Sequence, residues 1–215
     1  MTKTKGLLVM DVDSTLVQEE VIDLLGDEAG VGQQVADITE RAMRGELDFR
    51  QALEERVATL EGLPESIFDK VYARIHFNKN AKELVAELHA RGYKVGLVSG
   101  GFHETVDRLA AEAGIDYVKA NHLEVVDGVL TGKTYGDIVT KEIKVQKLRD
   151  WAVENELVLS QTIAMGDGAN DLPMIHEAGI GIAFCAKPIV RQQALYQINE
   201  PDLYKVIEIL DEVKK

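Results

Sequence analysis

Two carboxylates two positions apart, Asp11 and Asp13, follow four consecutive apolar residues, Leu7 to Met10, near the start of the chain. Such a run, with Gly6 before it, reads as a strand buried on both faces of a parallel sheet. Open α/β sheets bind ligands beyond the carboxyl ends of their strands, so Asp11 and Asp13 fall where chemistry is expected. Near a strand end, an i, i+2 pair can aim into one crevice. The same spacing also serves as a solvated strand-to-loop turn, and what the other strand ends carry separates the two. Residues 93–98 predict another strand, ending in Ser99-Gly100-Gly101. A further strand at 162–165 runs into Gly166-Asp167-Gly168-Ala169-Asn170-Asp171.

Asp11, Asp13, Asp167 and Asp171 together would repel, and a water-poor cleft does not hold four carboxylates ionised unaided. A divalent cation resolves this: aspartate oxygens, a backbone carbonyl and water are the usual set for Mg²⁺ and leave positions for a substrate phosphate. Zinc is not indicated, because His76, His89, His103, His122 and His176 are scattered and Cys185 is the single cysteine. Ser99 followed by glycines offers side-chain and backbone donors to an anion. Lys144, at the start of a predicted helix, could add positive charge, as could its neighbours Lys141 and Lys147. Metal, anion donors and an adjacent aspartate describe phosphoryl transfer with a carboxylate nucleophile.

The elements that must position these groups follow from periodicity. Helical apolar spacing dominates 16–77, in Val21-Ile22-Leu24-Leu25, Val31-Val35-Ile38, Leu47-Leu53-Val57-Leu60 and a short segment from Pro64 through Ile67, Val71 and Ile75. No strand-like run interrupts it. The stretch is too long for an ordinary strand-to-helix connection and reads as an inserted helical subdomain. Residues 1–15 and 78–215 would then form the α/β core, with 16–77 as a helical-bundle cap. The core alternates helices (81–91, 102–113, 141–154, 172–178, 201–213) with strands (93–98, 162–165, 180–184), the signature of a doubly wound parallel sheet built by right-handed crossovers. Residues 117–135 alternate around Asp127-Gly128, the strongest short hairpin signal.

Bulk properties narrow the partners. A chain of 215 residues, 46% hydrophobic, can bury a substantial core. Its net charge of −13 argues against nucleic acid and anionic membranes as partners. The lone Cys185 excludes an intramolecular disulfide and fits a reducing compartment. With no apolar run of signal or span length, the expected location is the cytoplasm.

Asp11-Val12-Asp13-Ser14-Thr15-Leu16, Ser99-Gly100-Gly101-Phe102, Lys144 and Gly166-Asp167-Gly168-Ala169-Asn170-Asp171 resemble, in this order, the four motifs of the haloacid dehalogenase superfamily. The likeness is closest to members that hydrolyse phosphoserine in the last step of serine biosynthesis, and it covers nearly the whole chain. It implies that Asp11 attacks phosphorus to form an aspartyl phosphate, and that Asp13 protonates the leaving oxygen and then deprotonates water. It implies Mg²⁺ held by Asp11, the Asp13 backbone carbonyl and Asp167. Ser99, the Gly100 N–H, Lys144 and Asn170 would clamp the phosphoryl oxygens, with Asp171 supporting Lys144 or the metal shell. Two departures stand out: Asn78-Lys79-Asn80 replaces a frequent Pro-Gly turn, and the regulatory domain of longer members is not expected here.

In the insert, Phe49, Leu53, Arg56 and Leu60 share one helical face, since 49 and 56 are about two turns apart. An arginine on an apolar stripe commonly snorkels. The resemblance instead gives Arg56 the substrate carboxylate and Glu20 the amino group, with Met43 and Phe49 as an apolar lid, a set that suits a zwitterion such as phosphoserine. Three alternatives remain: a phosphotransferase passing the phosphoryl group to an alcohol such as homoserine, a receiver domain phosphorylated on aspartate, and a non-catalytic metal-binding module. A receiver is typically shorter and lacks such an insert.

Overall fold

The computed structural model describes residues 3–213. In chain order the elements are β1 (Gly6–Met10), α1 (Val21–Glu28), α2 (Gly32–Met43), α3 (Phe49–Ala58), α4 (Ile67–Tyr72), α5 (Ala81–Ala90), β2 (Tyr93–Phe102) and α6 (His103–Ala113). There follow β3 (Tyr117–Val126), β4 (Val129–Tyr135), α7 (Lys141–Glu154), β5 (Thr162–Gly166), α8 (Leu172–Glu177), β6 (Ile180–Phe184), α9 (Pro188–Gln193), β7 (Tyr196–Ile198) and α10 (Lys205–Val213). The strands form one seven-stranded sheet in the order β4-β3-β2-β1-β5-β6-β7. All neighbours are parallel except β3 and β4.

β1 lies in the middle, and all five of its residues are buried because helices cover both faces of the sheet. One face packs Leu8, Met10, Val95, Leu97 and Met165 against α5, α6 and α10. The other packs Leu7, Val9, Val98 and Ala164 against α7 and α8. Successive residues of one strand thus serve opposite layers. The strand order reverses between β2 and β5 on either side of β1, and the carboxyl ends of these three strands share one crevice.

The chain leaves the sheet after β1 and returns before α5 through a clasp. Val17 bridges Phe77, Gln18 N–H donates to the His76 carbonyl at 2.9 Å, and Asn78 N–H donates to the Leu16 carbonyl at 2.9 Å. Buried Asn78 also donates its amide to the Thr15 and Val17 carbonyls at 2.8 and 3.3 Å. The departure from Pro-Gly is thereby explained: Asn80 adopts the left-handed conformation (φ 61) that glycine would supply, and asparagine tolerates it.

Several details differ from the sequence reading. β2 does not stop at Val98 but continues to Phe102 across a register shift, because Phe102 pairs with Asn121 of β3. α9 and the three-residue edge strand β7 carry too little periodicity to be foreseen. The last helix begins at Lys205 rather than Pro201, after a turn closed by Asp202.

Asp127 and Gly128 both have positive φ (51 and 75), so the β3–β4 turn has the handedness that suits twisted strands. This hairpin supports the inserted helices. Gly62 N–H donates to the Leu130 carbonyl and Leu130 N–H to the Leu63 carbonyl, at 2.9 and 2.8 Å, and Glu65 N–H reaches the Gly128 carbonyl. Leu123 and Leu130 join Val21, Leu25, Val35, Leu53, Val57, Leu60 and Phe68 in one apolar cluster. No helix among the described residues is long and apolar enough to cross a membrane.

The hairpin dock predicts that Leu130→Ala costs about 2–5 kcal/mol in denaturant unfolding, as expected for a buried leucine. Amide exchange at Gly62 and along α3 should speed up together. Unchanged exchange in the cap, with stability lost, would show that Leu130 supports the hairpin alone.

Candidate active site

The crevice holds a cavity of about 110 Å³ lined by Asp11, Asp13, Ser99, Gly100, Asp167 and Asn170 from the core, and by Glu20, Phe49 and Arg56 from the insert. Every core residue here sits at or just beyond the end of β1 or β5, or in the stretch of β2 after Val98 where its register with β3 shifts. The Asp11 N–H is still paired with the Met165 carbonyl at 3.0 Å. After it, residues Val12–Leu16 form an irregular turn rather than a regular helix, with Asp13 extended and Ser14 left-handed.

Lys144 lies at the bottom, with no exposed surface. Its Nζ donates to Asp11 Oδ1 at 2.6 Å and to Asp171 Oδ1 at 2.7 Å. Thr140 caps α7 and Val139 N–H donates to Asn121 Oδ1, which fix the start of the helix. Lys141 is exposed and Lys147 pairs with Asp150, so the structure separates the three lysines that composition could not. The two carboxylates hold the Lys144 ammonium charged, raising its pKa against the opposing effect of burial.

The carboxylates feel burial most. Burial pushes Asp11 up to about 7, with Lys144 opposing and Asp171 adding to the rise. Asp13 is driven well above the ordinary range by burial, with Glu20 and Asp11 adding repulsion. Its Oδ2 accepts the Val21 N–H at 3.4 Å, whereas Oδ1 is buried and has no partner among the described residues. Burial thus favours the neutral form of Asp13, whose Oδ1 stays without a partner beside the cavity that the residue lines, a setting in which a carboxyl group can act as an acid. Asp167 is pushed up to about 6, chiefly by burial and then by Asp171, with Lys187 opposing.

Asp11, Asp167 and Asp171 each offer an oxygen, and these atoms lie within 4.8 Å of one another. Asp171 spends one oxygen on Lys144 and the other on the Gly168 N–H at 3.0 Å. Asp11 and Asp167 thus remain as free carboxylate donors. An all-oxygen set fits a hard divalent cation, and its charge would relieve the repulsion that raises both pKa values.

Ser99 is buried, and its Oγ accepts the Gly101 N–H at 2.9 Å, leaving the hydroxyl proton to donate. Asn121, which sequence reasoning missed, donates to the Gly100 carbonyl at 2.7 Å and fixes that peptide. Nothing local marks Asn121; the β2–β3 pairing alone brings it there. Lys187, also missed, lines the cavity, and its N–H donates to the Asp167 carbonyl at 3.0 Å. Its place just past β6 is the signal that could have found it.

In the insert, Asp48 and Gln51 form a reciprocal capping box that starts α3 at Phe49. Phe49 then reaches Gly100 so closely that a β-carbon there would lie 3.3 Å from its ring. Arg56, two turns on, anchors Nε on the Ala52 carbonyl at 3.1 Å. Burial lowers its pKa while Asp23, Glu20 and Asp13 oppose, and no carboxylate lies within ion-pair distance among the described residues. Met43 is the exception among the expected lining residues. It is 82% exposed and borders a separate shallow depression with Asp23, Asp27 and Thr39. At about 100° per residue, Met43 falls roughly a third of a turn away from the buried Val35–Ile38 stripe of α2.

Fold and site converge on one class. Residues 8–176 match the family model described as haloacid dehalogenase-like hydrolase, and the chain belongs to that family of enzymes. Within it, the chain is 85% identical over 215 residues to a phosphoserine phosphatase of Streptococcus thermophilus, covering all of both chains. It is 59% identical to a phosphoserine phosphatase of Lactococcus lactis over 97% of each chain. A solved phospho-aspartyl intermediate analogue of phosphoserine phosphatase superimposes with a TM-score of 0.90 at 42% identity, covering 96% of this chain and 99% of that one.

Protons and a cation compete for Asp11 and Asp167. Both carboxylates are raised from 3.8, so the folded protein releases their protons only as pH passes about 6 to 7. Calorimetric titration with Mg²⁺ should therefore show binding at pH 7.5 that weakens progressively toward pH 5.5, with proton release at intermediate pH. Affinity independent of pH over this window would remove Asp11 and Asp167 from the cation site.

Proposed function

We propose that this enzyme hydrolyses O-phosphoserine to serine and phosphate in the cytoplasm, with Mg²⁺ held by Asp11, the Asp13 backbone carbonyl and Asp167. The observation that carries the chemistry is the pairing of two nearby carboxylates in different settings: Asp11 salt-bridged to the buried Lys144, and Asp13 with no ion pair and a buried Oδ1 that has no partner among the described residues. Asp11 is the nucleophile. Its Oδ1 is held by Lys144, so the other oxygen attacks phosphorus as the serine oxygen departs. Asp13 gives its proton to that oxygen, then takes one from the water that attacks the aspartyl phosphate, so the acid of the first half is the base of the second.

The phosphoryl oxygens gain negative charge at the transition state, and the donors set around them need little reorganisation. Ser99 donates its hydroxyl, Gly100 its N–H, Asn170 its amide and Lys144 its charge. Asp171 holds Lys144 in place from below. When bound, Mg²⁺ would offset the charge of the acidic cluster and of the phosphate. Residues 16–77 act as a cap whose Phe49 excludes water over Gly100.

Substrate identity rests on two cap groups that line the cavity with opposite charges. The Arg56 guanidinium has no carboxylate partner among the described residues and would take the substrate carboxylate, and Glu20 would take the ammonium group.

Asp13→Asn should slow turnover by roughly 10²–10⁴, the range for losing a general acid-base group. Arg56→Ala and Glu20→Ala each remove charged hydrogen bonds of about 1.5–3 kcal/mol and should lower kcat/KM for phosphoserine roughly 10- to 200-fold. The losses should be selective in steady-state phosphate release: Arg56→Ala should affect phosphoethanolamine far less, and Glu20→Ala should affect phosphoglycolate far less. Equal loss on every substrate would make both residues structural and leave the substrate unassigned.

A further inference from the structure

Ser14 has a backbone conformation that its side chain does not favour. It lies between Asp13 and Thr15 with φ 56 and ψ 11, the left-handed region, where a β-carbon is crowded and costly. Glycine would hold the same turn without that cost. Two bonds close the loop from Ser14 back to the head of α1. The Ser14 N–H donates to the Glu19 carbonyl at 3.3 Å, and the Ser14 hydroxyl donates to Glu20 Oε1 at 2.6 Å. The second is the only side-chain hydrogen bond that Glu20 makes among the described residues. Glu20 immediately precedes the first residue of α1, where its backbone is extended and gives the side chain no helical neighbour to lean on. Its surroundings push and pull on it: Asp13 and Asp167 share the cavity with it and repel it, and Arg56 attracts it.

We propose that Ser14 is a positioning residue for substrate recognition: its hydroxyl holds one Glu20 oxygen so that the carboxylate presents its other oxygen to an ammonium group in the cavity, apart from Arg56. Without this tether, Glu20 is free to turn toward Arg56. The two charges would then neutralise each other, and both ends of an amino-acid substrate would lose their partners. The hydroxyl also supplies a neutral donor to a carboxylate in an acidic cavity, where a second cation at that point would compete with the substrate ammonium. The inference rests on the proposed role of Glu20, and it adds the residue that directs Glu20 and a reason for a non-glycine side chain at a left-handed position.

The test compares Ser14→Gly, Glu20→Ala and the double variant on phosphoserine and phosphoglycolate. Ser14→Gly removes the hydroxyl and relieves the backbone, so its melting temperature should equal or exceed that of the parent. It should lower kcat/KM for phosphoserine about tenfold, mostly through KM, with a much smaller loss on phosphoglycolate. Added to Glu20→Ala it should cost little more, because the two act as one unit. Ser14→Thr, which restores a hydroxyl, should recover part of the loss. Equal losses on both substrates for Ser14→Gly, or full additivity with a selective Glu20→Ala, would overturn the role of Ser14 alone. A non-selective Glu20→Ala would overturn the assignment of Glu20 and that of Ser14 with it.

Discussion

One buried ammonium holds the site together. Lys144 has no contact with solvent, and bringing its charge into the interior is costly unless carboxylates meet it at hydrogen-bond distance. Asp11 and Asp171 do so at 2.6 and 2.7 Å, one from the end of β1 and the other from the loop after β5. Removing one partner of such a group typically costs about 3–5 kcal/mol, because the remaining charge stays buried. The end of β1, the loop after β5 and α7 are therefore fastened to one another by one buried interaction, which the proposed chemistry also uses. The same arrangement leaves Asp11 with one oxygen fixed and one free, while burial, then repulsion from Glu20 and Asp11, favours the neutral form of Asp13 against the opposing charge of Lys144. The different surroundings of two chemically identical side chains, on which their proposed tasks rest, come from where the sheet places them.

The insert adds Glu20, Phe49 and Arg56 to the lining of this crevice. The insert leaves and re-enters the core through one clasp, which Asn78 secures by donating to two carbonyls. A clasp alone would let the helices swing freely. The β3–β4 hairpin limits that freedom by hydrogen bonding its backbone to the segment between α3 and α4 and by sharing the apolar cluster of the insert. The cap thereby has two attachments, one at the end of β1 and one at the sheet edge, and Phe49 lies over Gly100 between them.

Much of this was legible in the sequence, for identifiable reasons. Asp11, Asp13, Ser99 and Asp167 follow apolar runs, so the general rule for strand ends locates them without any knowledge of neighbours. The hairpin was legible because Asp127-Gly128 specifies a turn by its own backbone preference. Composition alone left Lys144 as one of three, since Lys141 and Lys147 differ from it in burial rather than in chemistry, and the family motif singled it out. Met43 was expected at the site from the family resemblance alone; it belongs to α2, whose buried stripe is Val35 and Ile38, and it is not among the residues lining the cavity. Asn121 and Ser14 were not legible at all. The first acquires its role from a strand pairing with a register shift, and the second from a left-handed turn that no propensity of serine would suggest.

The central claim is that Asp11, and no other residue, receives the phosphoryl group. Rapid acid quench of the enzyme with ³²P-labelled phosphoserine, followed by peptide mapping, tests it directly. Label should appear on the peptide carrying Asp11 within the first turnover, and should be absent from Asp11→Asn. Label on a different residue, or turnover with no covalent label at any time point, would contradict the account.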